Sequence, residues 1–256
     1  MELDKIYLED CLIGMDKIPD NSIDAVICDL PYGTTQCEWD KVIPFDEMWR
    51  HINRVIKPNA AIVLFGAEPF SSYLRLSNPG AFKYDWIWDK KRPTGQLNAK
   101  KQPLRQHEII SVFYYQQPTY NPVMHHNRLK RHFIGDIKKS IKQSENYGEQ
   151  YDYNSNITDD SKSYPRSIIE QTGVIGNSRD KVKHPQQKPV SLIEYLIQTY
   201  TNQEETVLDL CIGSGTTAVA CINLNRHFIG FEKVKSHYDI ACKRISEAMN
   251  TPKLAM

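Results

Sequence analysis

A chain of 256 residues, 40% hydrophobic and 25% charged with a formal net charge of +1, is long enough to bury a full core and too balanced to be disordered or collagenous. No apolar run approaches the roughly 20 residues that cross a bilayer, and the N-terminus MELDKIYLED is too acidic for a secretory signal, so a cytoplasmic location with no membrane partner is expected. The cysteines at 11, 28, 37, 211, 221 and 242 form no CxxC pair and no Cys/His spacing typical of zinc; they read as reduced thiols, and no metal is implied.

In chain order, short apolar runs predict strands at Ile6 to Leu8, Ala25 to Cys28 and Ala61 to Phe65. Between the last two, Phe45, Met48, Trp49, Ile52, Val55 and Ile56 share one helical face. Strands follow at Trp86 to Trp88 and Ile109 to Tyr114. From Lys90 to Lys142 twelve Lys or Arg residues stand against two acids, Glu108 and Asp136, which makes this stretch about +10 and the remainder about −9 in a chain of net charge +1. Aromatic and amide residues interleave with these charges, as in FYYQQPTYNP and HHNRLKRHF. That mixture suits nucleic acid, because cations neutralise phosphates, aromatics stack on bases and amides read base edges. Charge alone is equally compatible with a solvated surface. The stretch from about 116 to 183, with YNSNITDDSKSYPRS, is polar and without periodicity, which predicts an insertion of loops and short elements. A helix opened by Pro189 carries Leu192, Ile193, Leu196 and Ile197 on one face, and the last strands run Thr206 to Leu210 and His227 to Phe231. This alternation argues for an α/β fold whose parallel sheet is covered on both faces. The sequence contains no internal repeat.

Two stretches carry chemistry. In TVLDLCIGSGTTAVACINLNRHFIGFEK, residues 206–233, a strand ending at Asp209 leads into a turn with Gly213 and Gly215, a helix begins near Thr216, and the next strand ends in Glu232. This is the layout of a Rossmann-like nucleotide site: glycines let the backbone approach the ligand, and the acid accepts from ribose hydroxyls. A tight turn in an α/β protein would also use these glycines. No GKS or GKT follows, which argues against a P-loop ATPase. The other stretch, VICDLPYGTT at 26–35, sets Asp29 straight after a buried-strand pattern and follows it with Leu30, Pro31 and Tyr32. An exocyclic amine on adenine or cytosine is a poor nucleophile because its lone pair is delocalised into the ring. The Asp29 carboxylate and the Leu30 backbone carbonyl would accept both N–H groups and favour a nitrogen with an available lone pair. Pro31 would fix the turn, and Tyr32 would stack on a base drawn out of its duplex. Alone, the stretch is equally well read as a strand-end Asp capping a turn.

Together, DLPY at 29–32, DLCIGSGTT at 209–217 and HPQQKP at 184–189 resemble the amino-group DNA methyltransferases that use S-adenosylmethionine, in the order of their permuted beta group. The resemblance implies a Rossmann-like, seven-stranded, mostly parallel sheet with one reversed strand and circularly permuted motifs. It implies a catalytic domain of 1–115 and 184–256 with a target-recognition region inserted at 116–183. Asp29, Leu30, Pro31 and Tyr32 resemble the catalytic Asp-Pro-Pro-Tyr. Asp209, Gly213, Gly215, Thr216 and Thr217 would surround the methionine portion of the cofactor with Asp29 beside it, Glu232 would hold the ribose hydroxyls, Lys188 would lie near the methionine carboxylate, and Asp10 with Cys11 would sit at the adenine. Two positions depart from the pattern: Leu30 replaces the first Pro, which keeps the carbonyl acceptor and loosens the turn, and Cys211-Ile212 replaces a more usual Pro-Phe. An Asp at the head of the tetrapeptide resembles adenine-N6 enzymes, whereas cytosine-N4 enzymes more often carry Ser. The expected target is therefore N6 of adenine in a specific sequence of double-stranded DNA, with cytosine N4 as the alternative. A homodimer and a cognate restriction nuclease are further partners that the resemblance admits, in a bacterial or phage-infected cell. A nicotinamide-dependent oxidoreductase would share the glycine turn and Glu232 but gives DLPY no role, and a non-enzymatic nucleic-acid-binding module would use the basic segment alone.

Overall fold

Strands β1 (Lys5–Leu8), β2 (Ile23–Asp29), β3 (Ile56–Gly66), β4 (Phe82–Thr94), β5 (Arg105–Phe113), β6 (His125–His126), β7 (Lys162–Ser163), β8 (Ile168–Glu170), β9 (Thr206–Asp209) and β10 (His227–Glu232) are interspersed with helices α1 (Cys11–Met15), α2 (Phe45–Val55), α3 (Phe70–Ser77), α4 (Val190–Tyr200), α5 (Thr216–Leu224) and α6 (Lys235–Asn250). This computed structural model describes residues 1–126, 162–174, 181–182 and 187–251. The chain divides into two units, Met1–Asn121 with Arg166–Met256, and Pro122–Pro165. In the second unit the described residues include the antiparallel pair β6 and β7. Arg128, Lys130 and Arg131 of the basic segment lie outside the described residues, as does His184 of the HPQQKP motif.

The first unit is built on one sheet of eight strands in the order β1-β10-β9-β2-β3-β5-β4-β8. β5 runs antiparallel to both its neighbours, and the other pairings are parallel. The mostly parallel sheet with one reversed strand is thus present, but with eight strands in place of seven. The extra strand is β8, which pairs with Ile87–Asp89 of β4 and falls inside the stretch read as an insertion. Three residues are too few to stand out by periodicity. Every predicted strand forms, as do the helices read at Phe45 and Pro189.

The strands are buried on both sides because helices cover both faces. Along β2, Ile27 joins the apolar cluster under α4 and α5, while Val26 and Cys28 join the cluster that takes in Met48 and Ile52 of α2 and Leu74 of α3; successive side chains of a strand point to opposite faces. α2 turns Met48, Trp49, Ile52 and Val55 inward, and Asp46 and Glu47 in its first turn complement the helix dipole.

What positions the site is the centre of the sheet. β2 and β9 lie side by side in parallel, with Ala25 opposite Val207 and Val26 opposite Leu208. From β2 the chain passes through α2 to β3 on one side, and from β9 through α5 to β10 on the other. Strand order therefore reverses between β2 and β9, the place where open α/β sheets leave a crevice at the carboxyl ends of their strands. Asp29 ends β2 and Asp209 ends β9.

Candidate active site

At the end of β2 the chain turns through Leu30 and Pro31. Leu30 is buried among α2 and β3 residues in the second apolar cluster, so the side chain that replaces the family's first Pro anchors the turn by packing. Asp29 then receives two donors: the Tyr32 hydroxyl at 2.6 Å on Oδ1 and the Lys188 ammonium at 2.5 Å on Oδ2. Tyr32 stacks on Phe70, with ring centroids 5.1 Å apart. Lys188 also lies 3.3 Å from Glu108 Oε2 on the reversed strand and 5.3 Å over the Phe65 ring. The other Glu108 oxygen is 3.3 Å from Lys90. The result is a chain of alternating charge: Asp29, Lys188, Glu108, Lys90.

Burial raises the Asp29 carboxyl above its ordinary range, partly offset by the ammonium of Lys188 and the hydroxyl of Tyr32. Burial also works against the charge on Glu108, but Lys188 and Lys90 outweigh it and hold that carboxyl below the usual range. For Lys188 burial is outweighed in turn by Asp29 and Glu108, which keep the ammonium protonated well above an ordinary lysine. The resemblance placed Lys188 near the cofactor's carboxylate; here its ammonium bridges Asp29 and Glu108.

The glycine turn lies next door. Gly215 takes a left-handed φ of +79°, and a Cβ there would sit 3.1 Å from the Ala241 backbone of α6, so glycine is required on both counts. Asp209 accepts from the Thr217 hydroxyl at 2.6 Å and the Cys211 amide at 3.0 Å, and burial pushes its carboxyl up to about 6. Glu232 accepts from the Gly213 amide at 3.0 Å and the Val234 amide at 2.7 Å. Each carboxylate oxygen has a second lone pair, so these contacts fix Glu232 and leave it capacity for hydroxyl donors. Asp10 caps α1 by accepting from the Leu12 amide at 2.9 Å.

Three residues that sequence reading passed over belong to this neighbourhood. Asp40 accepts from the amides of Gly33, Thr34 and Thr35 at 2.9, 2.9 and 2.7 Å and thereby closes the loop after Tyr32. Burial works against its charge, but these hydrogen bonds outweigh it and lower its pKa. The adjoining Trp39 packs edge-on to His237 of α6, centroids 5.9 Å apart. Arg244 of α6 donates from Nη1 to the Ser214 carbonyl at 2.7 Å and to the Ser214 and Thr216 hydroxyls at 3.1 Å, bracing the glycine turn from behind. The acid of the WD pair a few residues past DLPY was the one sequence signal available; nothing local marks Arg244.

These groups border three cavities. The first, with about 690 Å³ of space counted out to and including its open mouth, is lined by Asp10, Cys11, Asp29, Trp39, Gly213, Glu232 and others. A second, bordered by Asp29, Lys188, Asp209, Gly213, Thr216 and Thr217, adjoins it. The predicted cofactor residues other than Gly215 thus converge on two adjoining spaces, and Gly215 shapes the turn beneath. The third, about 1270 Å³, is bordered by Tyr32, Trp88, Lys90, Glu108 and Lys188. Among the described residues no helix is long and apolar enough to cross a membrane, and no cluster of three or more His, Cys, Asp or Glu could hold a metal ion.

A crevice at the strand-order reversal, with a glycine turn, a strand-end acid suited to a ribose and a second acid on the wall towards a separate cavity, defines a group-transfer enzyme that uses a nucleoside cofactor. Residues 23–243 match the N6/N4 methyltransferase family described as "DNA methylase", and the chain belongs to that family. It is an amino-group DNA methyltransferase, and its cofactor is S-adenosylmethionine. The Type II methyltransferase M.HindIII of Haemophilus influenzae is 25% identical over 97% of this chain and 97% of its own length, and M.BglII of Bacillus subtilis is 29% identical over 95% and 69%. The crystal structure of an M1.HpyAVI–SAM complex superposes with a TM-score of 0.63 at 24% identity, covering 94% of this chain and 98% of that one. The PvuII DNA methyltransferase, titled cytosine-N4-specific, gives 0.66 at 16% identity over 96% and 91%. These two likenesses bear on the fold. Family membership sets aside the oxidoreductase and the non-enzymatic module.

Proposed function

We propose that this chain methylates N6 of adenine within a specific sequence of duplex DNA, acting on a base drawn out of the helix. The observation that carries the reading is Asp29: a half-buried carboxylate heading the Asp-Leu-Pro-Tyr turn, on the wall of the first cleft, with its partners Tyr32 and Lys188 on the wall of the third cavity.

When bound, S-adenosylmethionine supplies a methyl group on a positively charged sulfur. The chain's own residues do the rest. Glu232 accepts from the ribose hydroxyls, Asp10 with Cys11 borders the adenine, and the turn from Asp209 to Thr217 encloses the methionine portion. On the other side Tyr32, backed by Phe70, borders the third cavity and stacks on the extruded base. Asp29 keeps acceptor capacity beyond the Tyr32 and Lys188 bonds and takes one N–H of the amine, while the Leu30 carbonyl takes the other. Both acceptors strengthen as the nitrogen gains positive charge, so they act mainly in the transition state. The surplus proton leaves N6 for Asp29, whose raised pKa suits it to receive one.

Support for adenine is the Asp at the head of the tetrapeptide. Cytosine N4 is the second reading, because the matching family takes in both N6 and N4 enzymes. The Type II designation of the relatives supports a cognate restriction nuclease as partner. Transfer of a labelled methyl group to duplex DNA, followed by digestion and identification of the modified base, decides between N6 and N4. Asp29→Ala should lower turnover at least about 100-fold while binding DNA and cofactor within several-fold of the parent; near-normal turnover would end this mechanism.

A further inference from the structure

We propose that Leu97 is the wedge that enters the duplex where the target base leaves it. The proposal rests on the reading that the chain methylates an extruded base.

β4 and β5 pair along most of their length, and their last pair, Thr94 opposite Arg105, carries the turn between them. Residues 91–103 are all exposed. The turn is nevertheless ordered by its own backbone: Gly95 adopts a left-handed φ of +90°, a short 3-10 helix covers Gln96–Asn98, and the amides of Asn98, Ala99 and Lys101 bond the carbonyls of Gly95, Gln96 and Asn98 at 2.9, 3.1 and 2.8 Å. Leu97 is 100% exposed at its crest.

One exposed leucine alone means little. This one stands in a setting that selects its partner. Between Lys90 and Arg105 there is no acid, and Arg92, Lys100, Lys101 and Arg105 surround the crest, a charge pattern complementary to phosphates. The base of the same arm, Lys90, Arg92, Pro93, Thr94, Arg105 and Glu108, forms a wall of the cavity that Tyr32 and Lys188 also border. Leu97 is three steps along the chain from Thr94, a reach of at most about 10 Å, so the crest stays within about three base-pair steps of the cavity mouth.

Drawing a base out of a duplex leaves a gap in the stack, and the cost falls when an apolar side chain fills it. Leucine brings no hydrogen-bonding group into that gap. Its neighbours Gln96 and Asn98 carry amides that can pair with the edge of the base left without a partner.

The test begins by mapping the site the parent methylates on unmodified plasmid DNA and building two synthetic duplexes around it, one fully paired and one with a mismatch opposite the target base. Leu97→Ala should slow single-turnover methylation of the paired duplex about tenfold relative to the parent, and by less than about twofold on the mismatched duplex, where extrusion is already cheap. Leu97→Met should retain most of the rate on both. Cofactor affinity, measured by calorimetry, should match the parent, since the residue is fully exposed among the described residues. Equal loss on the two duplexes, or full activity of Leu97→Ala on the paired one, would overturn the wedge. A parent that methylates neither duplex nor plasmid would instead remove the methylation reading itself.

Discussion

Replacing Lys188 by Met tests the charge chain at the heart of the site. Lys90, Glu108, Lys188 and Asp29 are linked at 3.3, 3.3 and 2.5 Å, two positive and two negative. Methionine retains an apolar stem over Phe65 but leaves two acids against one ammonium. Removing one partner from a buried ion pair costs about 3–5 kcal/mol. Because a quarter of the Asp29 side chain is exposed, the lower end, about 3 kcal/mol, is expected. Adding Asp29→Asn removes the orphaned acid and leaves the neutral pair Lys90–Glu108, so the double variant should be more stable than Lys188→Met alone, with a coupling energy of about 1–3 kcal/mol. Urea unfolding of the parent, both single variants and the double variant at pH 7 gives the cycle. Losses that add within about 0.5 kcal/mol would refute Lys188 as the counter-ion of Asp29. The same substitution has a kinetic sign: without the ammonium, burial raises Asp29 further, so the acid limb of the pH–rate profile should move to higher pH.

Glu232→Ala should weaken S-adenosylmethionine binding by roughly 1–3 kcal/mol in calorimetry, because the ribose hydroxyls lose their acceptor and the Gly213 amide loses its own; unchanged affinity would take Glu232 out of the cofactor site. Burial raises Asp209 to about 6 in the fold against 3.8 when exposed, so the folded state holds an extra proton between those values and this residue's contribution to stability falls by roughly 2 kcal/mol as pH rises from 4 to 7. Asp209→Asn should therefore gain on the parent by that amount over the same range, and a stability difference independent of pH would contradict it. Asp40→Ala should cost roughly 1 kcal/mol in chemical denaturation, since three amides lose one acceptor but all three belong to exposed residues that water can serve; parental stability would show that the loop closes without it.

The parts of the candidate site that the sequence could propose are those whose chemistry and geometry share a few consecutive residues. Asp29 through Tyr32 occupy one turn, and Asp209 to Thr217 one strand end, turn and helix start, so residue type and spacing were enough to single them out. The pairing of Lys188 with Asp29 joins residues 159 positions apart, and Glu108 reaches them only because β5 runs backwards beside β3; no local pattern records either. α6 escaped notice for another reason. Its buried residues are Ala241, Arg244 and Ile245, too little apolar surface to make a helical stripe, and its close packing is against a glycine. α1, with five residues, is shorter than any periodicity can show.

The adjacency of β2 and β9 also makes the two halves of the enzyme interchangeable in reading order. What brings Asp29 and Asp209 together is a lateral seam of parallel hydrogen bonds, with Val26 beside Leu208, and a seam is indifferent to which edge was synthesised first. β1 pairs with β10 and packs against α6, so the earliest strand and the latest helix are already neighbours. A gene cut ahead of β9 and rejoined between α6 and β1 would spell the cofactor half before the catalytic half, yet would fold to the same seam. Motif order along such a chain is therefore a record of where a gene was opened, and the chemistry is written in the cross-section of the sheet.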